Sequence, residues 1–379
     1  MSATLRLGET IVKSTTCRVF LGGITLGASF AASAQTSTLE LSGQLGAGLT
    51  YTGNQVHDST SVQLTDNLIH SSAFRLRGEE DIGNGVKVLF RLESGVALAS
   101  GTAGGKAAGG TTFWNRQSYV GVSSPWAGTL TLGRQFTAST DRAIRTLDVY
   151  QVDGSSLAVT PLALFGVNRF ANNDTRSNNT VKYFVQMPGG IDAGVSYAPD
   201  DGISGKNYAA GLGYNAASFA LGAIYTHYDD PTRIALNGML PTCYLWGLGG
   251  YYVFGPVKTY VSWFDSSIDA TVANHPAQTD HILDVGVSWQ AGYRTILKLA
   301  YYNDRGSDLD GVTGRDGTKQ TFVLSAEYSL SRRTSLYAAV FQNRFSNGYK
   351  LETVNLAALN RDPGSTTSTG ASIGLRHVF

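Results

Sequence analysis

The stretch that decides the fold is the C-terminal one, Ala371-Ser372-Ile373-Gly374-Leu375-Arg376-His377-Val378-Phe379. Its residues alternate: Ala, Ile, Leu, His and Phe fall on one face of an extended chain, and Ser, Gly, Arg and Val on the other. A strand of this kind that ends on an aromatic residue is unusual in a soluble domain. It is typical of a β-barrel whose outer face meets lipid and whose lumen holds water. We therefore predict a transmembrane strand here.

Period-two segments recur along the whole chain. Short connections made of turn residues, such as Pro188-Gly189-Gly190, alternate with long polar ones, such as Asp304 to Lys319. This alternation indicates antiparallel hairpins with short periplasmic turns and long external loops. We predict an all-β fold, a 16-stranded antiparallel transmembrane β-barrel. Its strands are expected to begin near residues 38, 71, 86, 114, 129, 178, 191, 207, 219, 243, 257, 280, 294, 320, 334 and 370.

The N-terminal region has the pattern of a secretory signal peptide. Basic residues precede an apolar run over residues 19–30, and Ala32-Ser33-Ala34 follows as a small-residue cleavage site. The run is shorter than the roughly 20 residues that a spanning helix needs. We predict a cleaved signal peptide over residues 1–34 and a barrel over residues 35–379. The expected location is the Gram-negative cell outer membrane, which the chain crosses many times.

The composition argues against several classes of function. The formal net charge is +1, so no overall field attracts nucleic acid. Beyond the predicted signal peptide, Cys243 is the only cysteine, which leaves no intramolecular disulfide. The histidines are scattered without metal-ligand spacing, and no Ser/His/Asp or Cys/His grouping stands out. We expect no metal, no cofactor and no enzymatic activity.

One connection is too long for an ordinary hairpin loop. It covers about residues 135–178 and contains an apolar patch, Leu162-Ala163-Leu164-Phe165. A loop with apolar residues of its own packs against another part of the protein, and a barrel of this width has a lumen to receive it. We predict that this loop folds into the lumen.

Four internal stretches and the terminal Phe379 resemble the trimeric general porins of the Gram-negative outer membrane. The four stretches are Leu76-Arg77-Gly78-Glu79-Glu80-Asp81-Ile82-Gly83-Asn84-Gly85, Asn115-Arg116-Gln117-Ser118-Tyr119-Val120-Gly121, Gly128-Thr129-Leu130-Thr131-Leu132-Gly133-Arg134-Gln135 and Tyr328-Ser329-Leu330-Ser331-Arg332-Arg333-Thr334-Ser335-Leu336-Tyr337. The resemblance implies a homotrimer with one pore per protomer, surrounded by outer-membrane lipid and lipopolysaccharide. It also implies that the loop at 135–178 forms the constriction, and that Phe379 is the assembly signal for the barrel assembly machinery.

By resemblance, a ladder of basic residues on the barrel wall faces carboxylates on the constriction loop. Strand parity selects candidates for this wall, because alternate residues of a strand share a face. Arg75 and Arg77 alternate with apolar residues and are predicted to point into the lumen. Arg91 shares a face with Glu93 on the next strand and is predicted to point the same way.

Two further arginines complete the predicted basic wall. Arg116 alternates with Tyr119, whose ring we place outside, so Arg116 is expected to point inward. Arg176, just after the long loop, matches a basic-wall position by resemblance.

The predicted acidic side of the constriction consists of Glu93 and three loop carboxylates, Asp141, Asp148 and Asp153. Arginines occur in the same loop, so the loop is not net acidic. Because the wall carries several arginines, a weak preference for anions is the better hypothesis.

Arg134 falls by parity on the outer face, together with Leu130 and Leu132. An arginine that faces lipid at mid-depth costs roughly 2–4 kcal/mol, and about 0–1 kcal/mol near the interface. It therefore lies either at the membrane rim or against another subunit. The resemblance places it at the subunit interface.

These observations predict a passive diffusion channel for small hydrophilic solutes and ions, weakly selective for anions. A substrate-specific porin is the alternative within the same class. An outer-membrane barrel enzyme needs a catalytic cluster, which the sequence does not show. A secreted adhesin predicts polar residues on both strand faces, which does not fit the aromatic-ended apolar faces of most strands.

Overall fold

The computed structural model describes residues 37–66, 68–103, 113–151, 176–200, 205–229, 242–270 and 274–379. Strands dominate these ranges, because alternating apolar and polar residues suit a pleated chain with two different faces. No helix within them is long and apolar enough to cross a membrane. Short 3₁₀ turns lie at four of the connections described, Val56–Asp58, Pro188–Gly190, Leu309–Gly311 and Gly348–Lys350.

The strands in the described ranges are β1 (Ser37–Gln55), β2 (Ser59–Asp66), β3 (Ala73–Gly83), β4 (Val86–Ala97), β5 (Thr102–Ala103), β6 (Gln117–Ser124), β7 (Gly128–Phe136), β8 (Arg176–Gln186), β9 (Ile191–Ala198), β10 (Asn207–Asn215), β11 (Phe219–Asp229), β12 (Thr242–Phe254), β13 (Val257–Ile268), β14 (Gln278–Gln290), β15 (Thr295–Ser307), β16 (Gly317–Ser329), β17 (Thr334–Asn347) and β18 (Thr367–Val378). The α-helices in these ranges are α1 (Ala138–Thr146) and α2 (Thr353–Ala358).

The strands form a closed antiparallel barrel, because β18 pairs with β1. β3 pairs with the first part of β1 and β2 with the second part, so β2 and β3 together make one interrupted wall strand. The two-residue β5 pairs with the end of β4. The described strands therefore give 16 wall strands, which confirms the predicted fold class. The largest difference between observed and predicted strand starts is in the second wall strand, which begins with β2 at Ser59 and not near 71. The next largest are at Gln117, Gly317 and Thr367, against 114, 320 and 370.

The two faces of the wall differ as the sequence predicted. In β18, Ile373 is 64% exposed on the outside, whereas its neighbour Ser372 is 5% exposed and hydrogen-bonds inner-face hydroxyls. In β1, Leu41 on the outside is 63% exposed. Exposed aliphatic side chains on the outer surface are stable in a membrane, because they contact lipid hydrocarbon and not water.

The connections are short at one end of the barrel and long at the other. Between β3 and β4, Asn84 and Gly85 have positive φ angles of 55° and 73°, which these residue types adopt at low cost. At the other end the strands extend further than the sequence predicted. β15 continues to Ser307 and β16 begins at Gly317, which leaves only residues 308–316 in the loop.

The C-terminal residue lies at the seam that closes the barrel. The Gly43 N–H donates to the Phe379 carbonyl at 2.9 Å, and the Phe379 N–H donates to the Gly43 carbonyl at 3.0 Å. A Cβ on Gly43 would lie 2.6 Å from the Phe379 ring, so glycine is needed for this approach. The terminal aromatic therefore packs into β1 and extends the β1–β18 ladder.

The apolar core lies inside the barrel, where two segments turn inward from the wall. The first is the described start of the long loop, residues 137–151, which contains α1. The second is an inner bend, residues 68–72, between β2 and β3, which the sequence did not predict. Buried residues from both segments join one apolar cluster with the inner wall: Leu68, Ile69, Ala143, Leu147, Val149, Tyr150, Ile224, Leu245, Tyr260, Phe264, Ile282, Ala300, Tyr302, Val323, Tyr337, Ala339 and Phe341.

Candidate functional site

Three arginines on the inner wall surround one buried carboxylate, Glu93. Arg75 Nε lies 3.4 Å from its Oε2, Arg116 Nε lies 2.7 Å from its Oε1, and Arg91 donates to Oε2 from Nε at 3.0 Å. Glu93 is 1% exposed and also accepts from Gln117 Nε2 at 3.1 Å. Burial of this carboxylate is tolerable because Arg91, Arg116 and Gln117 donate hydrogen bonds to it and Arg75 adds a positive charge beside it. We call Glu93 and these three arginines the arginine cluster.

Strand register explains why the cluster forms. Arg75 in β3 lies directly opposite Glu93 in β4, and Glu93 lies opposite Gln117 in β6. Residues that are paired across an antiparallel ladder share a face, so these side chains meet. The inward orientation predicted for Arg75 and Arg91 agrees with this register.

The position of Glu93 corrects one expectation. Glu93 does not belong to an acidic side that faces the basic wall, because it lies within that wall at the centre of the arginines. One carboxylate among several guanidiniums leaves this part of the wall net positive.

Arg176 lies next to the cluster, at the start of β8. It is 5% exposed, and its guanidinium carbon lies 4.1 Å from the centroid of the Phe136 ring. It contributes to the positive potential at Glu93. Arg77, in contrast, is paired with Glu40 at 2.8 Å and is 56% exposed, so it lies on the inner face but outside the cluster.

Tyr119 faces the lumen, and the expectation that its ring lies outside is wrong. It is paired with Arg91 across the β4–β6 ladder and therefore shares the inner face. The outer face of β6 carries Val120, which is 50% exposed. Arg116 still points inward, because it precedes the first residue of β6 and bonds Glu93 and Ser71 from outside the strand register.

The described part of the long loop lies against the inner wall. α1 begins after Thr137, whose side chain caps the helix by accepting from the Thr140 N–H. The helix contacts β8 to β12. Ser139 hydrogen-bonds Thr226 on β11 at 2.6 Å, and Ser262 on β13 donates to the Leu147 carbonyl at 2.7 Å. The loop is therefore fixed to the wall at both ends of its described part.

A buried ion pair anchors α1. Arg142 Nη1 lies 3.1 Å from Asp192 Oδ2 on β9, and both side chains are almost fully buried. A Cβ on Gly213 would lie 1.2 Å from Arg142 Nη1, so the guanidinium occupies the space that a side chain at 213 would fill. Burial lowers the pKa of Arg142, and the nearby Asp192 opposes that change. We call Arg142, Asp192 and Gly213 the helix latch.

The two loop carboxylates in the described residues each have a partner on the wall. Asp141 pairs with Lys182 at 2.6 Å. Asp148 is 0% exposed and accepts from the Tyr302 hydroxyl at 2.7 Å, so it faces the wall and not open water. The expectation that Asp148 lines the acidic side is therefore wrong. Asp153 lies outside the described residues.

Sequence reasoning missed several charged residues of the inner face. Lys298 donates to the Val149 carbonyl at 3.2 Å, and Arg376 pairs with Glu327 at 3.0 Å. Parity could have found them, since Lys298 alternates with Leu297 and Leu299 on β15. The missed charged residues that face the lumen include Glu40, Glu79, Lys87, Arg142, Lys182, Asp192, Lys258, Lys298, Glu327 and Arg376.

Arg134 lies on the outer face, as parity predicted, because it is paired with Ser118 across the β6–β7 ladder. It is half-buried by its own chain: Nε donates to the Asn115 carbonyl at 2.6 Å, and Nη1 donates to Asn178 Oδ1 at 2.8 Å. These bonds satisfy two of the donors of a guanidinium that faces away from the water-filled lumen.

The described residues hold no group of three or more His, Cys, Asp or Glu side chains that could bind a metal ion. The described inner face instead presents fixed charges around a lumen that is narrowed by α1 and the inner bend. Such an arrangement can select solutes by width and charge.

Comparisons with known proteins agree with this architecture. A family model described as Gram-negative porin matches residues 23–348. The outer membrane porin protein 32 of Delftia acidovorans is 25% identical over 380 residues, covering 93% of this chain and 97% of that protein. The solved structure of an anion-selective porin from Comamonas acidovorans superposes with a TM-score of 0.74 at 21% identity, covering 91% of this chain and 100% of that one. The trimer form of Vibrio cholerae OmpT gives a TM-score of 0.64 at 17% identity, covering 90% and 99%.

Proposed function

Because the chain belongs to the Gram-negative porin family and forms a passive channel through the outer membrane, we propose that this channel prefers anions weakly. The preference is set by the arginine cluster. Small hydrophilic solutes and ions cross through water, and the charges that line the narrow part of the lumen decide which sign passes more easily.

The observation that carries the proposal is the charge balance of the cluster. Arg75, Arg91 and Arg116 share the single carboxylate of Glu93, and Arg176 adds a further positive charge beside them. A carboxylate with three arginine neighbours cannot neutralise them all. The inner wall therefore keeps a positive potential that raises the local concentration of anions.

The described loop does not offset this potential. Asp141 is neutralised by Lys182, and Asp148 is buried under hydrogen bonds from the wall. Salt screens charges beyond about 10 Å at 0.1 M, which keeps the preference weak. The similar Comamonas acidovorans protein is an anion-selective porin, which supports the same sign of selectivity here.

The test compares reversal potentials of single-residue variants under a KCl gradient. Arg75 is 33% exposed to the lumen, so Arg75→Gln removes a charge that permeating ions encounter. A unit charge about 8 Å from an ion path, screened by salt, changes the local concentration of each ion about 1.5-fold and in opposite directions for anions and cations, so their ratio changes about twofold. We expect the chloride-to-potassium permeability ratio to fall by about this factor in Arg75→Gln and in Arg116→Gln.

Arg305→Gln is the matched control. Arg305 is exposed on the outer face of β15, so its charge does not face the lumen. Its reversal potential is expected to equal that of the wild type. The proposal fails if the two cluster variants keep the wild-type permeability ratio, or if Arg305→Gln changes that ratio as much as they do.

We propose further that the channel is a homotrimer in which Arg134 lies at the subunit contact. The support is the outer-face position of Arg134 and the trimeric form of the Vibrio cholerae relative. Arg134→Ala is expected to lower the temperature at which the native oligomer dissociates on a gel. An unchanged dissociation temperature contradicts the role of Arg134, and a monomer by light scattering contradicts the trimer.

The remaining expectations are part of the same proposal. They are removal of residues 1–34 on export, insertion by the barrel assembly machinery with Phe379 as signal, contact with lipid and lipopolysaccharide, and no enzymatic activity. N-terminal sequencing of the mature protein tests the first of these directly: a mature chain that begins at Gln35 is the expected result, and any other start contradicts it.

A further inference from the structure

The inner bend interrupts the second wall strand and turns into the lumen. β2 ends at Asp66 and β3 begins at Ala73, and both pair with the same edge of β1. The bend is held at its base. The Ser71 carbonyl accepts from Gln44 Nε2 at 2.8 Å, and the Ser72 hydroxyl accepts from the Gly46 N–H at 3.0 Å.

The bend is packed and is not a free loop. Leu68 and Ile69 are 6% and 4% exposed, and they join the apolar cluster that also contains Leu147 and Val149 from the constriction loop. Arg116 of the arginine cluster donates to the Ser71 hydroxyl at 2.7 Å. The bend therefore belongs to the same body as the constriction.

One titratable side chain sits on this bend. His70 Nε2 lies 3.5 Å from Glu327 Oε2, and the two side chains are 24% and 22% exposed. Glu327 faces inward from β16 and also pairs with Arg376 of β18 at 3.0 Å. Lys298 faces the same region from β15. Within the described part of the chain, the charged groups that act on His70 are thus the Glu327 carboxylate and the basic side chains of Arg376 and Lys298, each on a different wall strand.

We propose that His70 is a selectivity-determining residue of the channel, which adds a positive charge to the lumen when it is protonated and so strengthens the preference for anions in acid. This inference rests on the proposed function, because it concerns the same permeation path. It assigns a role in selectivity to a residue of the inner bend, whereas the arginine cluster is part of the barrel wall.

The electrostatic surroundings fix the direction of the effect. Burial and the positive charge of Arg376 lower the pKa of His70 below its ordinary 6.5, while Glu327 opposes that change. The imidazole is therefore neutral at neutral pH and gains its proton only at lower pH. Its charge is then added at a partly exposed position of the lumen, not in a sealed core.

The test measures the reversal potential of the full-length mature protein in planar bilayers under a KCl gradient, at about pH 7.5 and about pH 5. We expect the chloride-to-potassium permeability ratio of the wild type to rise about twofold on acidification, with a midpoint below 6.5. In His70→Gln we expect most of this rise to disappear, with little change at about pH 7.5 because the replaced imidazole is neutral there.

His281→Gln is the matched control. His281 is 46% exposed on the outer face of β14, where it hydrogen-bonds Asp265 Oδ2 at 2.6 Å. It is expected to keep the full wild-type response to acid. His70→Asn is a second variant with a shorter side chain. It replaces His70→Gln in the test if that protein misfolds, which loss of heat-modifiable migration on a gel would show.

The outcomes separate this inference from the proposed function. A wild-type channel that favours potassium at about pH 7.5 contradicts the proposed function, and the change on acidification still tests His70. A wild-type channel that favours chloride but shows the same acid response in both His70 variants overturns the inference alone. Loss of the response in His281→Gln overturns it as well.

Discussion

We predict that the open-channel current becomes noisier when the ion pair between Arg142 and Asp192 in the helix latch is broken. Arg142→Gln removes one partner of an ion pair whose side chains are 3% and 7% exposed. Breaking a buried pair on one side costs about 3–5 kcal/mol, because the other charge stays buried. Asp192 keeps one hydrogen bond, from Asn215 Nδ2 at 2.5 Å, so the lower end of this range applies.

A cost of about 3 kcal/mol changes the docking equilibrium of α1 by a factor of about 100. Other contacts still hold the loop, among them the bond from the Ala138 N–H to Ser196 Oγ at 3.1 Å. We therefore expect a loop that loosens at α1 without leaving the lumen. Single-channel recordings of Arg142→Gln should show higher mean conductance and more open-channel noise than the wild type.

Gly213→Ala tests the same latch without removing a charge. Its Cβ would lie 1.2 Å from Arg142 Nη1 and 2.4 Å from Cζ, so the guanidinium has to move away from Asp192. Gly194→Ala is the control on a nearby strand, because the closest atom to its Cβ would be the Ala138 Cβ, at 3.3 Å. We expect more open-channel noise than in the wild type for Gly213→Ala, and wild-type noise for Gly194→Ala.

Arg145→Gln is the control for the arginine change. Arg145 lies exposed on the same helix, with its guanidinium carbon 5.0 Å from the centroid of the Phe184 ring. An exposed contact of this kind contributes about 0.5–1 kcal/mol, so this variant should record like the wild type. Wild-type conductance and noise in both Arg142→Gln and Gly213→Ala refute the reasoning.

Three further predictions follow from other contacts. Glu93→Gln leaves the surrounding arginines without their shared carboxylate, so we expect its heat-modifiability transition on gels to fall by several degrees, and an unchanged transition contradicts the account of the cluster. Tyr302→Phe removes the hydroxyl that donates to Asp148, which costs about 1–3 kcal/mol and should raise open-channel noise less than the latch variants do; noise equal to that of Arg142→Gln contradicts this ranking. Deletion of Phe379 removes both hydrogen bonds to Gly43 at the barrel seam, and we expect less folded protein in refolding gels, whereas full refolding argues against a role in closure.

The sequence predicted the barrel because strand parity is local information. The alternation in β18 follows directly from its residues, and the inward positions of Arg75 and Arg91 follow from the same rule. Turn residues such as Asn84 mark where the chain reverses, because their backbone preferences do not depend on the rest of the fold.

Parity failed where a residue lies outside a strand. Arg116 precedes β6, so its orientation does not follow from alternation with Tyr119, and the outer position predicted for the Tyr119 ring is wrong although Arg116 does point inward. The inner bend was missed because the sequence predicts a strand that begins near residue 71, and β2 and the bend before that point were not predicted. A break in a strand depends on packing with distant residues such as Tyr337, which no local pattern contains.

The acidic side of the site could not be predicted, because the sequence does not show which loop carboxylates dock on the wall. Asp148 is joined to Tyr302 across 154 residues, and Arg142 to Asp192 across 50. Contacts between residues so far apart in the sequence depend on where the loop packs in the lumen. Gly213 makes room for Arg142, but nothing in the sequence distinguishes it from the other glycines among the 45 in the chain.

The most direct test of the central claim is the reversal potential of the wild-type channel in a planar lipid bilayer at neutral pH under a KCl gradient. The net positive inner wall predicts stepwise openings and a reversal potential that favours chloride. A reversal potential that favours potassium would show that carboxylates outweigh the arginine cluster, and would contradict the account.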